Sequence, residues 1–309
     1  MPDRPRLKLG TRRSPLALAQ ANEARGCLMA AHPGLEVELV PVTASGDKVQ
    51  DRPLADIGGK ALWTKELDAW LLAGEIDFAV HSLKDVETLR PPELVIAAVL
   101  QREDVRDCLI GAVSLDDLPS GARIGTSAPR RAALALRARP DCRVVGIRGN
   151  VATRLAKLAA GEADATLLAM AGLNRLGMKH VGTPLDAHTW LPAPGQGAIA
   201  IECRAGDAEM RALLGLIDHA PSHHAVLAER ALLAALGGNC HSPIGVLTET
   251  DGEMLTMTAA LLSPDGSEEV RGTARFATGD RAAPHALAAD LLGRAGPAIR
   301  QHFDPPGGS

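Results

Sequence analysis

Aromatic residues are scarce in this chain: its 309 residues include three Phe, three Trp and no Tyr. Proteins that bind RNA or single-stranded DNA usually stack the bases on exposed aromatic side chains. Basic residues are not in excess either, because the formal net charge is −4. These two shortages argue against nucleic acid as a partner. They also mean that any cationic site is formed by a local group of basic residues and not by an overall positive charge.

Long apolar runs and paired cysteines are also missing. No uninterrupted apolar stretch reaches the roughly 18 residues that a membrane-spanning helix needs, so no membrane association is expected. Residues 1–6 lead into the strand-like residues 7–9 without the apolar segment of a signal peptide. The five cysteines, at positions 27, 108, 142, 203 and 240, contain no CxxC pair. An odd, scattered set fits the reducing cytosol, and the adjacent His223 and His224 do not form a metal-ligand motif.

The apolar pattern predicts an α/β fold of two or three domains. Strand-like segments at residues 7–11, 37–42 and 78–81 alternate with a helix from Pro15, capped by Ser14, and a helix at 62–73 ended by Gly74. This alternation favours a largely parallel sheet. It repeats from about residue 105, with strands at 122–126, 144–147 and 165–169, a helix at 151–160, a Pro/Gly linker at 191–197 and a strand at 198–202.

Two further segments have a different character. Residues 43–60 are rich in Gly and charge, which favours a mobile lid, with plain disorder as the alternative. The C-terminal part predicts a small α+β domain. Its elements are a helix at 222–236, strands at 245–250, 254–262 and 269–276, and a helix at 285–303.

Four junctions place small polar residues and cations where a helix should begin: residues 10–15, 81–85, 125–131 and 148–154. A helix N-terminus binds anions through its free N–H groups and dipole. A cation there opposes the dipole at a cost of about 0.3–1 kcal/mol. Ser127 and Asn150 are candidate N-caps. A ligand with several negative groups would explain the cations at these junctions, with surface salt bridges as the alternative. The cations are Arg12, Lys84, Arg130, Arg131 and Arg154.

Two residues suit covalent or proton-transfer chemistry. Asp85 follows Lys84 at the end of an apolar strand, where neighbouring cations favour its ionised form. It could accept a proton, stabilise a developing cation, or serve only as a salt-bridge partner. Cys240 lies in a Gly-rich turn beside His241. A thiol there suits covalent attachment or nucleophilic attack, although free cysteines are more often buried and inert.

Taken in order, these motifs resemble the porphobilinogen deaminase (hydroxymethylbilane synthase) family. The turn at residues 238–245 around Cys240 resembles that family's cofactor-attachment loop. The resemblance extends over essentially the whole chain and rests on the segments 11–17, 58–60, 81–85, 125–127, 130–131, 148–150, 153–155 and 195–197.

The resemblance implies an α/β fold with two periplasmic-binding-protein-like α/β domains and a small C-terminal α+β domain. The expected domains are residues 1–100 with 198–218, residues 101–197, and residues 219–309. The implied transferase condenses four porphobilinogen molecules head to tail, with loss of ammonia, on a dipyrromethane cofactor held by a thioether to Cys240. Hydrolysis then releases the linear tetrapyrrole hydroxymethylbilane, a precursor in haem-type tetrapyrrole biosynthesis. The resemblance implies that this product passes to uroporphyrinogen-III synthase. The resemblance also implies a cytoplasmic monomer.

The family's residue roles transfer onto matching positions of this sequence. Asp85 and Lys84 are the implied catalytic residues, and Lys60 and Trp63 belong to the lid. Substrate would be bound by Arg12, Ser14, Arg148, Arg154 and Arg175. The cofactor would be bound by Cys240, Ser14, Lys84, Asp85, Thr126, Ser127, Arg130, Arg131, Arg148, Gly149, Asn150, Arg154 and Gln196.

A non-catalytic anion-binding protein of the two-lobed solute-receptor type is the alternative interpretation. It would explain the cationic helix starts. It has no need of Cys240 or of a third domain, and an exported receptor would need a signal sequence.

Overall fold

The computed structural model describes residues 6–42, 64–239 and 241–303. These residues form three sheets, which are distributed over two compact units. The first unit contains Met1–Glu103 and Gly197–His223, and the second contains Asp104–Gln196 and His224–Ser309. The predicted domain bounds, including the limit between the first and third domains at residues 218 and 219, stay predictions.

The first unit is built on a mixed five-stranded sheet in the order β2-β1-β3-β10-β4. β1, β2 and β3 run parallel, and β10 is antiparallel to both β3 and β4. Leu9, Phe78 and Ile201 are fully buried and pack with the apolar face of α1. The elements are β1 (Arg6–Arg12), α1 (Pro15–Ala31), β2 (Glu36–Val42), α2 (Lys65–Ala73), β3 (Phe78–Ser82), β4 (Leu94–Val99), β10 (Ile199–Arg204) and α6 (Ala208–Gly215).

The second unit repeats this arrangement in the order β7-β6-β8-β5-β9. β6 is parallel to β7 and β8, whereas β5 is antiparallel to β8 and β9. The repeat predicted from about residue 105 is therefore confirmed, although each sheet is mixed rather than wholly parallel. Its elements are β5 (Asp107–Ile110), β6 (Arg123–Gly125), α3 (Pro129–Ala138), β7 (Arg143–Val145), α4 (Val151–Ala159), β8 (Ala165–Ala169), α5 (Met170–Arg175) and β9 (Thr183–Pro184).

A small C-terminal domain of three antiparallel strands completes the second unit. Leu262 at the end of β12 is buried in the same apolar cluster as Leu109 and Ile124 of the α/β part. Gly266, with φ of +72°, brings a turn against the backbone of α3, where a side chain would collide with the carbonyl oxygen of Ala133. The elements are α7 (Ala220–Ala235), β11 (Ile244–Asp251), β12 (Met254–Leu262), β13 (Glu269–Ala277), α8 (Ala282–Arg294) and α9 (Pro297–Arg300).

Three local predictions were wrong. The helix expected at 285–303 is two helices, because Pro297 has no N–H and restricts Gly296 before it. The junction at 81–85 starts no long helix but a single 3₁₀ turn, Leu83–Asp85, which ends where Val86 is extended. Ser127 is not an N-cap, since α3 begins at Pro129 with Ala128 in the cap position. The lid segment at 43–60 lies outside the described residues.

Candidate active site

A pocket in the first unit opens where the parallel strands β1 and β3 end and α1 begins. The carboxyl ends of parallel strands and the start of a helix together favour ligand binding, because backbone N–H groups point into the space there. The lining residues are Arg12, Ser14, Leu16, Ala17, Gln20, Thr64, Val80, His81, Ser82, Asp85 and Val86.

The pocket brings together three of the predicted site residues: Arg12, Ser14 and Asp85. Asp85 is half-buried in the 3₁₀ turn, and within the described stretches its carboxylate accepts no hydrogen bond. Lys84 precedes it in the same turn. The Ser14 hydroxyl caps α1 by accepting from Ala17 N at 3.3 Å, so its own O–H is still able to donate. A cation, a hydroxyl donor and a carboxylate thus share one cavity.

Polar residues that the sequence interpretation missed complete the pocket wall. Gln20 is buried on the apolar face of α1, and its Nε2 lies 2.8 Å from Ser82 Oγ. Its position was a usable signal, because a polar residue among the buried Ala17, Ala21 and Ala24 requires a hydrogen-bond partner.

An ion-pair network lies against this pocket. The Arg90 guanidinium bonds to Glu202 through Nε and Nη2, both at 2.9 Å, and to Asp68 through Nη1 and Nη2. Glu202 is fully buried, and its Oε2 lies 3.2 Å from Nε2 of His81. Burial alone would raise the pKa of Glu202, but the His81 contact and the Arg90 charge outweigh it and lower the pKa to about 2.

Glu202 should make the protein sensitive to acid. Its pKa falls from an ordinary 4.5 to about 2 on folding, so the unfolded chain binds the extra proton first as the pH drops. The stabilisation is fully present above about pH 4.5 and is lost toward pH 2. We expect the urea-derived free energy of unfolding to fall less steeply between about pH 6 and pH 3 in Glu202→Gln than in wild type. Equal slopes would contradict this role.

In the second unit, the Asp107 carboxylate binds three of the predicted cofactor-binding residues, Arg130, Arg131 and Gln196. Its carboxylate accepts from Arg130 Nη2 at 2.8 Å and from Arg131 Nη2 at 2.7 Å. Trp190 Nε1 and Gln196 Nε2 also donate to it, at 3.0 and 2.8 Å. Burial alone would raise the pKa of Asp107, but the two guanidinium charges outweigh it and hold the pKa well below its usual range.

This cluster limits what the two arginines can do. The side chains of Arg130 and Arg131 are only 5% and 6% exposed. Their other bonds go to the carbonyl oxygens of Leu191 and Leu167. A direct contact of either guanidinium with a ligand carboxylate would compete with these bonds, so their assignment as cofactor ligands stays a prediction.

The predicted anion site at residues 148–154 forms the start of α4. Asn150 caps this helix by accepting from Thr153 N at 2.9 Å. Gly149 has a φ of +116°, and a Cβ there would lie 2.6 Å from Thr153 Cγ2, so only glycine fits this tight turn. Arg154 Nε donates to the Gly149 carbonyl at 2.9 Å. Arg148, Arg154 and Arg175 are all half-buried, and their assignment as ligand-binding residues stays a prediction.

The other predicted second-unit residues are held by the backbone around them. Thr126 Oγ1 accepts from Ala128 N at 3.1 Å, and Ser127 Oγ donates to the Ile147 carbonyl at 3.1 Å.

Cys240, Lys60 and Trp63 lie outside the described residues. The neighbours of Cys240 in sequence are bonded to each other and to the C-terminal segment. His241 N donates to Asn239 Oδ1 at 2.8 Å, while Ser242 Oγ accepts from Asn239 N at 3.1 Å and donates to the His302 carbonyl at 3.3 Å.

No group of three or more His, Cys, Asp or Glu side chains in the described part of the chain could hold a metal ion. No helix there is both long enough and apolar enough to cross a membrane.

Comparison with known proteins identifies the family. Residues 7–212 match the family model "Porphobilinogen deaminase, dipyromethane cofactor binding domain", and residues 223–292 match "Porphobilinogen deaminase, C-terminal domain". The porphobilinogen deaminase of Sphingopyxis alaskensis is 56% identical over 311 residues, covering 98% of both chains. That of Nitrobacter hamburgensis is 51% identical over 294 residues, covering 93% of both.

Among solved structures, a TRAP periplasmic solute binding protein from Desulfovibrio salexigens is 10% identical with a TM-score of 0.42. The alignment covers 70% of this chain and 73% of that one. The fold assignment rests on the strand orders of the two α/β sheets given above. The two family models together cover most of the sequence, and the relatives match it almost from end to end. The chain therefore belongs to the porphobilinogen deaminase family.

Proposed function

We propose that this chain condenses four porphobilinogen molecules head to tail, releasing ammonia at each addition, and then frees hydroxymethylbilane by hydrolysis. Family membership makes it a transferase that uses dipyrromethane as its cofactor. The observation that supports this chemistry at one site is the pocket in which Asp85 lines the same cavity as Arg12 and Ser14.

Asp85 carries the charge that the deamination needs. Loss of ammonia from an aminomethylpyrrole leaves an electron-poor cation, and a carboxylate in the pocket wall stabilises it electrostatically. Joining this cation to the next pyrrole then releases a proton from a ring carbon. The same carboxylate can accept it, because none of its lone pairs is taken by a hydrogen bond from the described residues. Lys84, one residue earlier, adds a cation for the substrate carboxylates.

Arg12 and Ser14 are suited to hold those carboxylates. The planar guanidinium matches a carboxylate in a two-point contact, and the start of α1 adds a hydroxyl donor and the positive end of the helix dipole. Arg148, Arg154 and Arg175 are proposed to hold further carboxylates in the second unit, with Thr126, Ser127, Gly149 and Asn150 shaping that site. Arg130, Arg131 and Gln196 contribute through the Asp107 cluster.

The residues present fit a polyanionic cofactor. Each pyrrole of dipyrromethane carries two carboxylates, and the half-buried arginines of the 148–154 turn and Arg12 supply dispersed cations for them. When bound, dipyrromethane supplies the free pyrrole carbon that accepts the first substrate. We assign its thioether attachment to Cys240, and the lid to residues 43–60 with Lys60 and Trp63. We further propose a cytoplasmic monomer that passes its product to uroporphyrinogen-III synthase.

The anchor assignment predicts a mass difference. Intact-mass analysis of the purified wild type should show an adduct of two pyrrole units, which should be absent from Cys240→Ser because a hydroxyl is a far weaker nucleophile than a thiolate. The matched control is Cys27→Ser, which changes an exposed cysteine on α1 and should keep the adduct. An unmodified mass in active wild type would refute the anchor. Wild type that binds porphobilinogen without releasing ammonia would favour the non-catalytic receptor.

A further inference from the structure

Arg90 sits at the centre of the ion-pair network beside the pocket. Besides Glu202 and Asp68, its Nη1 donates to Glu87 Oε2 at 2.9 Å and to Thr64 Oγ1 at 3.3 Å. Its side chain is only 9% exposed. One guanidinium therefore joins strand β10, helix α2, the residue before that helix and the segment after the 3₁₀ turn.

The segment that carries Lys84 and Asp85 is held to Glu202 at both ends. His81 precedes the turn and approaches Glu202 Oε2, and Arg90 follows the turn and bonds both Glu202 oxygens. The centre of the segment is fixed by Leu83 N, which donates to the Ala198 carbonyl at 3.0 Å. Ala198 immediately precedes β10, the strand that carries Glu202. The segment from residue 81 to residue 90 is therefore held at both ends by Glu202 of β10 and at its centre by the residue just before β10. We call this arrangement the closure of the loop.

Asp85 depends on this closure for its position. No side chain of the described residues hydrogen-bonds its carboxylate, so the backbone of the turn determines where that carboxylate lies in the pocket. Removing the guanidinium would release the far end of the loop and leave the carboxylates of Asp68, Glu87 and Glu202 close together without their shared cation. Thr64, another pocket residue, would lose its bond to Arg90 as well.

We propose that Arg90 is a positioning residue for the deamination: by bridging Glu202, Asp68 and Glu87, it holds the Asp85 turn in its working position. The proposal rests on the proposed function of Asp85. Arg90 touches no reacting atom and acts through the loop. Its planar fork is what the bridge requires, because a lysine keeps the charge but cannot span two carboxylates with paired bonds.

The variant Arg90→Lys tests this with the loaded enzyme. We expect kcat for ammonia release to fall about tenfold to a hundredfold, the loss that misplacing a reacting group by about an ångström produces, with a smaller change in KM. The pyrrole adduct should be retained. The matched control is Arg204→Lys in the same unit, which changes an arginine that bonds the carbonyls of Leu71 and Ile76 and does not line the pocket. Its kcat should stay near that of wild type.

The double variant with Asp85→Asn separates positioning from general weakening of the fold. If Arg90 acts through Asp85, Arg90→Lys should cause little further loss of kcat in the Asp85→Asn background. The same fold-loss in both backgrounds, or wild-type kcat in Arg90→Lys, would overturn the proposal. Wild type that releases no ammonia would instead refute the proposed function.

A milder variant tests the proposal if Arg90→Lys folds poorly, which a lowered melting temperature of Arg90→Lys would reveal. Glu87→Gln removes the negative charge that faces Arg90, while keeping an oxygen acceptor, from a side chain that is 23% exposed. It should give a smaller loss of kcat that again disappears in the Asp85→Asn background. Wild-type kcat in Glu87→Gln, combined with a misfolded Arg90→Lys, would leave Arg90 a structural residue and reject the proposal.

Discussion

Replacing Asp85 by Asn is expected to lower the turnover of porphobilinogen at least about a hundredfold, the usual contribution of a proton-transferring or charge-stabilising carboxylate. The amide keeps the shape of the side chain but removes its negative charge and its basicity. Both proposed roles, stabilising the deaminated cation and accepting the ring proton, need the charge. The pyrrole adduct should remain if Asp85 acts in elongation rather than in holding the thioether. Steady-state ammonia release and intact mass, measured on the same preparation, give the two readouts.

Asp77→Asn is the matched control for this experiment. Asp77 directly precedes β3, whereas Asp85 lies just beyond the opposite end of that strand. The Asp77 Oδ2 atom accepts a hydrogen bond from Lys8 N at 2.7 Å. Its loss removes a carboxylate from the same strand region without touching the pocket lining. Turnover in Asp77→Asn should stay near wild type. Near-normal turnover in Asp85→Asn would remove Asp85 from the mechanism.

The sequence predicted the pocket residues whose signals are local. Ser14 followed by Pro15 marks a helix start whatever surrounds it, and the structure has that cap. Arg12 ends β1 and Asp85 comes shortly after β3, and parallel neighbouring strands bring such positions to one edge of a sheet. Gln20 was missed because a polar residue in a helix has no distinctive spacing, although its burial among alanines marks it once the helix is seen.

Long-range partners were not predictable. Arg130 and Arg131 stand at a helix start, where local electrostatics argue for a bound anion. The anion found beside them is Asp107, 23 and 24 residues earlier, on the short strand β5 that the sequence pattern did not reveal. The same limit applies to the fold. The repeat of strands and helices was visible, whereas the antiparallel direction of β5 and β10 has no local signal in the sequence.

Replacing Asp107 by Asn should destabilise the second unit more than any surface substitution. The carboxylate is fully buried and is shared by Arg130 and Arg131, with Trp190 and Gln196 as further donors. Asn offers one acceptor oxygen and turns its NH₂ group toward these donors, so two buried guanidinium charges lose their counter-ion. Breaking a buried ion pair by removing one partner costs about 3–5 kcal/mol. Urea unfolding should show this loss as a lower free energy of unfolding.

Asp141→Asn provides the comparison, because Asp141 also bonds an arginine bidentately, with both Arg139 contacts at 2.8 Å, but on the surface of the same unit. After the change the Arg139 guanidinium keeps its bonds to the carbonyl oxygens of Leu115 and Leu118, and an exposed ion pair contributes little, so the free energy of unfolding should hardly move. If Asp107→Asn were as stable as Asp141→Asn, the two buried arginines would not depend on Asp107. They would then be candidates for the direct cofactor contacts that their sequence positions predict. A large loss confined to Asp107→Asn would instead show that Arg130 and Arg131 first serve to build the second unit, and that Arg148 and Arg154 are the better targets for disrupting ligand binding there.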